Sequence, residues 1–481
     1  MPSGECTTRC ARARSLRGRF GALALVAAAF VVSRAIIAAL GVRFDISLVP
    51  WLWQLLDLQL LQHRLAESLW HLHSQPPLFN LAVGVALKLF PNHVAGAFHL
   101  LFLLLGLTAA LSLEVVLERL GFRRAVSVGL AVLISCAPWW LVYENWLYYE
   151  YPVMCLLIVA ALALSKFVGG WRLRWGVPFF LLLAVIVYTR ASFQIVWMVL
   201  VVAVLALVRR DAWRPILKAA ALPLLLVALL YAKNTVQFGV PSTTSWFGMN
   251  LARITLWANP RAERERLVAE GKLSRVALVP PFSPLAKYKD AGLPPTKRTG
   301  IPALDRPMKS NGGVNLNDRA YIDLSRRYLK DSLRYIRYHP SGYLRGVGKA
   351  AGKLSVPATD YSYVYPERSK IRAWDRVFNG LVYWRTPWTH GIGLALPLLY
   401  VLEVLWGLSL LVRSLRRRAA SEASLVALFL WATVTYLLLL ASLTDFGENE
   451  RVHLPIDPFV LVLAALVLRD GAHRVASKRR R

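Results

Sequence analysis

The chain has 481 residues, 56% of them hydrophobic, with 58 Lys and Arg against 27 Asp and Glu and a formal net charge of +31. So apolar a composition, with a mean hydropathy of +0.45, excludes an ordinary soluble enzyme, which needs polar surface to stay in solution. The positive charge sits in short segments that bracket apolar runs, so membrane topology explains it without a nucleic-acid partner.

Arg9, Arg12, Arg14, Arg17 and Arg19 precede a run from Phe20 to Val42. That run is longer than a signal-peptide core and lacks a small-residue cleavage site, so it reads as a retained first transmembrane helix. Arg34 lies seven residues before Gly41, about 10 Å along a helix, within snorkelling reach of the boundary. Residues 43–93 form a first outer loop that carries Asp45, Asp57 and the tryptophans Trp51, Trp53 and Trp70. Leu55, Leu58, Leu61, Leu65, Leu69 and Leu72 recur at helical spacing, which predicts an amphipathic helix along the membrane surface. Pro76-Pro77 ends it, just after His73 and Gln75. His71 and His73 are two apart and point different ways on a helix, which argues against a metal pair. The four cysteines, Cys6, Cys10, Cys136 and Cys155, form neither a disulfide framework nor a zinc pattern.

Ten spans are expected, at about 20–42, 94–114, 125–143, 152–168, 176–190, 191–208, 216–232, 392–412, 424–443 and 455–468. With that count every short basic connector falls on the cytoplasmic side: the N-terminal arginines, Arg119/Arg123/Arg124, Lys166/Arg172/Arg174, Arg209/Arg210/Arg214, Arg413/Arg416/Arg417/Arg418 and Lys478–Arg481. The organisation is then 1–42 tail and first helix, 43–93 first outer loop, 94–232 helices two to seven, 233–391 a long extracytoplasmic loop, and 392–481 the last three helices and basic tail. Within the long loop, 279–313 reads as irregular structure. Asn317 is placed to cap a helix whose apolar stripe is Tyr321, Leu324, Tyr328 and Tyr335 and which His339-Pro340 ends.

The acidic residues on the outer face are few. Asp45 follows the first span, Glu144 and Glu150 flank the exit of the third, and Asp445, Glu448 and Glu450 precede the last. Carboxylates at an apolar boundary are costly unless paired or used, and Arg34 and Arg190 are natural counter-charges. A buried base beside an arginine-lined anion site suits one reaction: the carboxylate takes a proton from an acceptor hydroxyl while arginines hold the departing phosphate of a lipid-borne donor.

These residues resemble, in type, order and spacing, the GT-C superfamily of multi-spanning glycosyltransferases that use polyprenyl-phosphate sugars. Within it they are similar to the protein O-mannosyltransferase and lipid A aminoarabinose transferase branch. The matching pieces are Arg34 in the first span, Asp45 after it, Gln75-Pro76-Pro77-Leu78-Phe79-Asn80, Glu150-Tyr151-Pro152 (displaced by one residue), Thr189-Arg190, His339-Pro340, and Arg451 with Pro455 and Pro458. Asp45-Ile46 departs from the family's acidic pair, which leaves Asp57 as a second candidate acid.

The resemblance implies an all-α polytopic membrane protein of about ten transmembrane helices, GT-C-like, with amphipathic juxtamembrane helices and a mostly helical or irregular extracytoplasmic loop. It implies inverting transfer in the plasma (inner) membrane with an extracytoplasmic active site. Asp45 would be the general base or the group that orients the acceptor and Glu150 would assist, with Asp57 and Glu144 as further acids. Arg34, Arg190 and Arg451 would hold phosphate, with His73, Gln75 and Glu448 among the substrate contacts. The partners would be a polyprenyl-phosphate sugar, a lipid, glycan or protein acceptor, and membrane lipids. No cofactor is expected, and a divalent cation could enter only through Glu448 and Glu450. A lipid-linked saccharide transporter or flippase is the rival, although no internal repeat is visible; a polymer-assembly protein is another.

Overall fold

A computed structural model describes residues 4–292, 297–386, 393–417 and 419–479. The side chains of Arg9, Arg12, Arg14 and Arg17, those of Cys6 and Cys10, Arg418 and the tail side chains from Lys478 lie outside that description, as do residues 387–392 at the end of the expected outer loop. The described chain is all-helical apart from two isolated bridges, Asp45 with Trp146 and Met308 with Val314.

The helices are α1 Gly4–Ala39, α2 Leu58–His63, α3 Leu65–Trp70, α4 Pro77–Leu89, α5 Val94–Arg119, α6 Arg124–Ser135, α7 Pro138–Glu144, α8 Glu150–Val168, α9 Leu173–Thr189, α10 Ile195–Val208 and α11 Trp213–Phe238. A loop domain follows with α12 Phe247–Ala252, α13 Arg261–Ala269, α14 Pro302–Asp305, α15 Ala320–Tyr338, α16 Pro340–Lys353, α17 Tyr365–Lys370 and α18 Arg372–Tyr383. The chain returns to the bundle in α19 Ala395–Arg417, α20 Glu422–Thr444, α21 Asn449–Val452 and α22 Asp457–Arg479.

Among the described residues seven helices are long and apolar enough to cross a bilayer, and α6 with α7 makes an eighth if that bent pair is one span. The protein is therefore a multi-pass membrane protein. The two other expected spans are α9 and α10, of 17 and 14 residues. Fourteen residues rise only about 21 Å against a hydrocarbon core of about 30 Å. α8 is the central helix: 72% of its apolar window is buried, against 22% for α19. Without a hydrophobic drive between helices in lipid, close approach depends on small residues. At Gly407 in α19 an added Cβ would overlap the Trp431 indole of α20.

The expected third span is bent by 52° between α6 and α7. Pro138 has no N–H to donate and disfavours helical geometry in the residue before it. The break frees two carbonyls that distant side chains satisfy: Arg34 Nη1 donates to Ser135 O at 2.9 Å and Trp374 Nε1 to Cys136 O at 2.8 Å.

The two ends of the bundle differ. At one, Arg119 Nη1 donates to Ser165 O at 3.0 Å, Arg469 Nη1 donates to Leu120 O at 2.7 Å, and Arg209 lies 5.3 Å over the Trp171 ring. The basic connectors 119–124, 166–174 and 209–214 therefore meet there. At the other end Asp45 N donates to Asn145 O at 2.8 Å, beneath the loop domain.

The expected juxtamembrane helix is two six-residue helices, α2 and α3, broken at Arg64. Leu55, Leu61 and Leu72 point inward, while Trp51, Trp53 and Trp70 are 54%, 41% and 60% exposed, as an interfacial belt requires. In the loop domain Tyr321, Leu324, Tyr328 and Tyr335 are fully buried along one face of α15. The tips of two of them fasten the segment expected to be irregular: Tyr321 donates to Ser283 O at 2.8 Å and Tyr328 to Val279 O at 2.6 Å. Asn317 does not cap α15. Its Oδ1 accepts from the backbone N–H groups of His73 and Ser74 at 2.9 and 3.1 Å, and Asp318 Oδ1 takes the Ala320 N–H at 2.9 Å instead. Two backbone donors from the first loop outcompete the helix start.

Candidate functional site

A cavity of about 590 Å³ opens between the bundle and the loop domain. α9 supplies Arg190 at its C-terminal cap, and α21, in the turn before the last span, supplies Arg451. Arg253 comes from a π-helical turn after α12, Asp445 from the C-terminal cap of α20, Glu448 from the N-terminal cap of α21, and Gln75 from the segment before α4.

Arg190 and Arg451 are 2% and 4% exposed. Both point at Glu150, which is fully buried in the first turn of α8, where a helix N-terminus favours a carboxylate. Arg451 Nη1 donates to Glu150 Oε1 at 2.8 Å, and Arg190 Nη2 lies 3.5 Å from the same oxygen. Arg451 Nη2 donates to Glu448 Oε2 at 2.6 Å, Glu448 Oε1 accepts from the Tyr361 hydroxyl at 2.9 Å, and Arg190 Nη2 donates to Val452 O at 3.1 Å. The Arg451 guanidinium is 4.7 Å over Tyr148 and 5.1 Å over Tyr361, two cation–π contacts that hold it flat. Even so, Arg190 Nη1, Arg451 Nε and Glu150 Oε2 are buried with no hydrogen-bond partner. A buried charged donor left without a partner is costly, and both of these arginines lie on the cavity wall. Glu150 is not part of the cavity wall; it stands behind the two arginines.

The wall carboxylates behave differently from one another. Burial pushes the Asp445 carboxyl above the usual range, and Arg253, 3.4 Å away, only partly offsets it. Burial acts on Glu448 too, but Arg451, then Arg253, and the Tyr361 hydrogen bond more than cancel it, holding that carboxyl below the usual range. Gly447, between them, has φ +149°, and a Cβ there would overlap the Arg253 guanidinium. Only glycine lets Arg253 approach Asp445 across this turn.

The other sequence-derived candidates lie elsewhere. Arg34 forms a bidentate pair with Glu144, Nε to Oε1 and Nη2 to Oε2 at 2.8 Å each, and Tyr151 donates to Glu144 Oε2 at 2.6 Å. This closed pair ties α1 to the kink and does not line the cavity. Asp45 bridges Trp146 and its Oδ1 accepts from Ser47 N at 2.8 Å; it too is off the wall. Asp57 caps α2 through the Gln59 N–H at 3.1 Å and accepts from Ser310 N and Oγ at 2.8 and 2.7 Å, pinning the loop domain to the first loop. His73 is fully buried. Its Nε2 faces the Asn317 carbonyl and its Nδ1 the Ser245 hydroxyl, each at 2.9 Å, so Nε2 carries the proton and neither nitrogen is free to ligate. Burial drives its pKa down to about 3. Gln75 does line the cavity, with a buried Oε1 that nothing bonds. Among the described residues no three His, Cys, Asp or Glu side chains are grouped to hold a metal ion. Glu450 Oε2 sits 3.6 Å from Lys353 Nζ.

Sequence reasoning therefore assembled Arg190, Arg451, Glu150, Glu448 and Gln75 but missed Arg253 as the partner of Asp445. Arg253 is one of many cations in a basic loop, and no local pattern singles it out. Asp445 was visible as an outer-face carboxylate, three residues before Glu448.

Fold and site together define a polytopic helical membrane protein with an arginine-lined, carboxylate-bearing cavity at the junction of bundle and loop domain. No protein-family model and no curated protein matches the sequence. Among solved structures the chain is similar to ArnT from Cupriavidus metallidurans in the apo state, at a TM-score of 0.32 and 15% identity over 90% of this chain and 75% of that one. It is similar also to ArnT from Cupriavidus metallidurans bound to undecaprenyl phosphate, at a TM-score of 0.32 and 17% identity over 90% and 76%.

Proposed function

We propose that the protein is an integral membrane glycosyltransferase that moves a sugar, with inversion, from a polyprenyl-phosphate donor to a hydroxyl acceptor. The observation that carries this reading is the pair of buried guanidiniums, Arg190 and Arg451, with unmade N–H groups on a cavity that also bears Asp445 and Glu448. Three of the motif pieces that resemble the GT-C pattern, those holding Gln75, Arg190 and Arg451, meet on this cavity, and a fourth, Glu150, holds the two arginines. The basic connectors gathered at the far end of the bundle support an extracytoplasmic site.

The donor's isoprenoid would lie against Ile195, Val196, Leu437 and Leu440, which line the cavity; Val196 is 65% exposed. The phosphate oxygens accept from Arg190 and Arg451. The acceptor oxygen attacks the anomeric carbon opposite the phosphate, the sugar–phosphate C–O bond breaks, and its electron pair leaves on the phosphate oxygen. The hydroxyl proton passes to a wall carboxylate. Asp445, with its raised proton affinity, suits that role, whereas Glu448 stays ionised and orients Arg451. Glu150 is a positioning residue. Arg34, Glu144, Asp45, Asp57 and His73 act through the scaffold.

The test is turnover of a labelled polyprenyl-phosphate sugar by the purified chain in nanodiscs, with envelope membranes as acceptor. Asp445→Asn should lower the rate by about 10²–10⁴-fold while polyprenyl phosphate still binds. Full turnover by that variant removes the base assignment, and lipid flux without transfer would instead favour the transporter reading.

A further inference from the structure

We infer that α18 is a membrane-docking helix: its exposed apolar face seats in the phospholipid of the chain's own bilayer, at the end of the bundle that carries the loop domain. Trp374, Val377 and Leu381 recur at helical spacing on one face, and Val377 and Leu381 are 51% and 75% exposed. Arg372 and Arg376, two residues either side of Trp374, point the other way. Both are exposed and, among the described residues, neither makes a hydrogen bond or an ion pair. The acid of the helix, Asp375, is buried and accepts from Arg368 Nε at 2.7 Å and Asn379 Nδ2 at 2.9 Å. An apolar face backed by free arginines, with no exposed acid, is the pattern of a helix lying in a lipid–water interface with its arginines at the headgroup phosphates.

The neighbours of α18 put it at the bilayer edge. Trp374 Nε1 donates to Cys136 O at 2.8 Å, the carbonyl freed where α6 bends into α7, so this ring is fastened to the break in a span. Glu367 of α17, the helix immediately before, accepts from Arg43 N at 2.9 Å, just past the end of α1. The apolar part of α1, Gly18–Ala39, has 22 residues. It rises about 33 Å against a hydrocarbon core of about 30 Å, so Arg43 stands at the headgroups. α18 also packs on α19, the span that follows it. The exposed apolar surface therefore continues from Leu40 of the α1 end, through Leu381, to Leu398 of α19. A bilayer that covers α1 and α19 reaches α18 as well.

The seat also bears on the cavity. Arg368, which holds Asp375 of α18, pairs through Nη1 with Asp360 at 2.5 Å, and Arg385, just after α18, forks onto the same carboxylate at 2.9 and 2.6 Å. Next to Asp360 is Tyr361, whose hydroxyl donates to Glu448 at 2.9 Å and whose ring lies 5.1 Å from the Arg451 guanidinium. The lipid-seated helix is thus a strut: through Asp375, Arg368 and Asp360 it fixes the segment that presents Tyr361 to Arg451.

The experiment adds a tryptophan to either face of α18 in the full-length chain, held in nanodiscs of phosphatidylcholine and phosphatidylglycerol. Leu381→Trp and Arg376→Trp are each compared with the natural chain, and the added emission is read with lipid brominated along the upper acyl chain. Bromine should quench the added emission of Leu381→Trp and spare that of Arg376→Trp. Equal quenching of the two, or none at Leu381→Trp, overturns the lipid seat; no quenching together with a dimer in detergent would give the face to a second copy. Leu381→Glu drives a charge into the seat and should speed amide hydrogen exchange across residues 358–364 by at least about tenfold, with α8 unchanged. Val377→Glu is the alternative if that variant does not fold. Unchanged exchange at 358–364 overturns the strut. Neither measurement needs a sugar donor, so a failure here leaves the transferase reading standing.

Discussion

Glu150 Oε1 and Arg451 Nη1 lie 2.8 Å apart although 301 residues separate them in the chain. Arg190 Nη2 is 3.5 Å from the same oxygen, so one carboxylate at the top of the central helix holds both guanidiniums in place. The arrangement brings two positive charges together before any ligand arrives.

Replacing Glu150 with Gln keeps its shape and removes the charge between two buried arginines. Breaking one side of a buried pair costs about 3–5 kcal/mol, so the thermal midpoint should fall clearly. Added polyprenyl phosphate should raise the midpoint of the variant more than that of the natural chain, because the anion supplies the missing charge. Equal ligand-induced shifts would separate Glu150 from the proposed phosphate site.

Lysine at Arg190 or at Arg451 keeps the charge but loses the planar fork. Affinity for polyprenyl phosphate should drop by about ten- to hundredfold in each variant. The loss should be larger at Arg451, which also spans Glu150 and Glu448. Isothermal titration in nanodiscs reads this directly, and unchanged affinity in both would move the phosphate elsewhere.

Asp57 should behave as a clamp, separately from the chemistry. Asp57→Ala uncaps α2 and strands the Ser310 N–H and hydroxyl that the carboxylate now accepts. The expected loss is about 2–4 kcal/mol of stability, with kcat preserved at a temperature where the variant is folded. A collapse of kcat in folded Asp57→Ala would return this residue to the reaction.

Stability should decline in acid because of His73. The folded chain keeps the ring neutral down to about pH 3, whereas the unfolded chain protonates it near pH 6.5. Between those values the unfolded state binds the extra proton, so stability is lost as pH falls from 6.5 toward 3, by about 1.4 kcal/mol per unit at most. Thermal melts of His73→Gln against the natural chain across that window should show a shallower pH slope in the variant. Parallel slopes would falsify the neutral, doubly bonded histidine.

The helices of the bundle were legible in the amino-acid order because an apolar run of membrane length is a local property. So was the alternation of basic connectors. The site was half legible. Glu150, Arg190, Arg451 and Glu448 declared themselves as charges at the ends of apolar runs, where an ion must have a purpose or a partner.

Which partner each charge takes was settled only in three dimensions. Arg34 looked as available for phosphate as Arg190. The Pro138 kink, however, leaves the Ser135 carbonyl unpaired beside it and brings Glu144 to 2.8 Å, and those two acceptors consume it. Arg253 stands 192 positions from Asp445, on a loop with no distinguishing pattern, and reaches it only because Gly447 has no Cβ. The sequence by itself determined where charges enter the membrane-spanning body, since hydropathy acts residue by residue. The tertiary structure decided which of them are spent on one another and which N–H groups stay open, because that depends on bends and approaches between segments hundreds of residues apart.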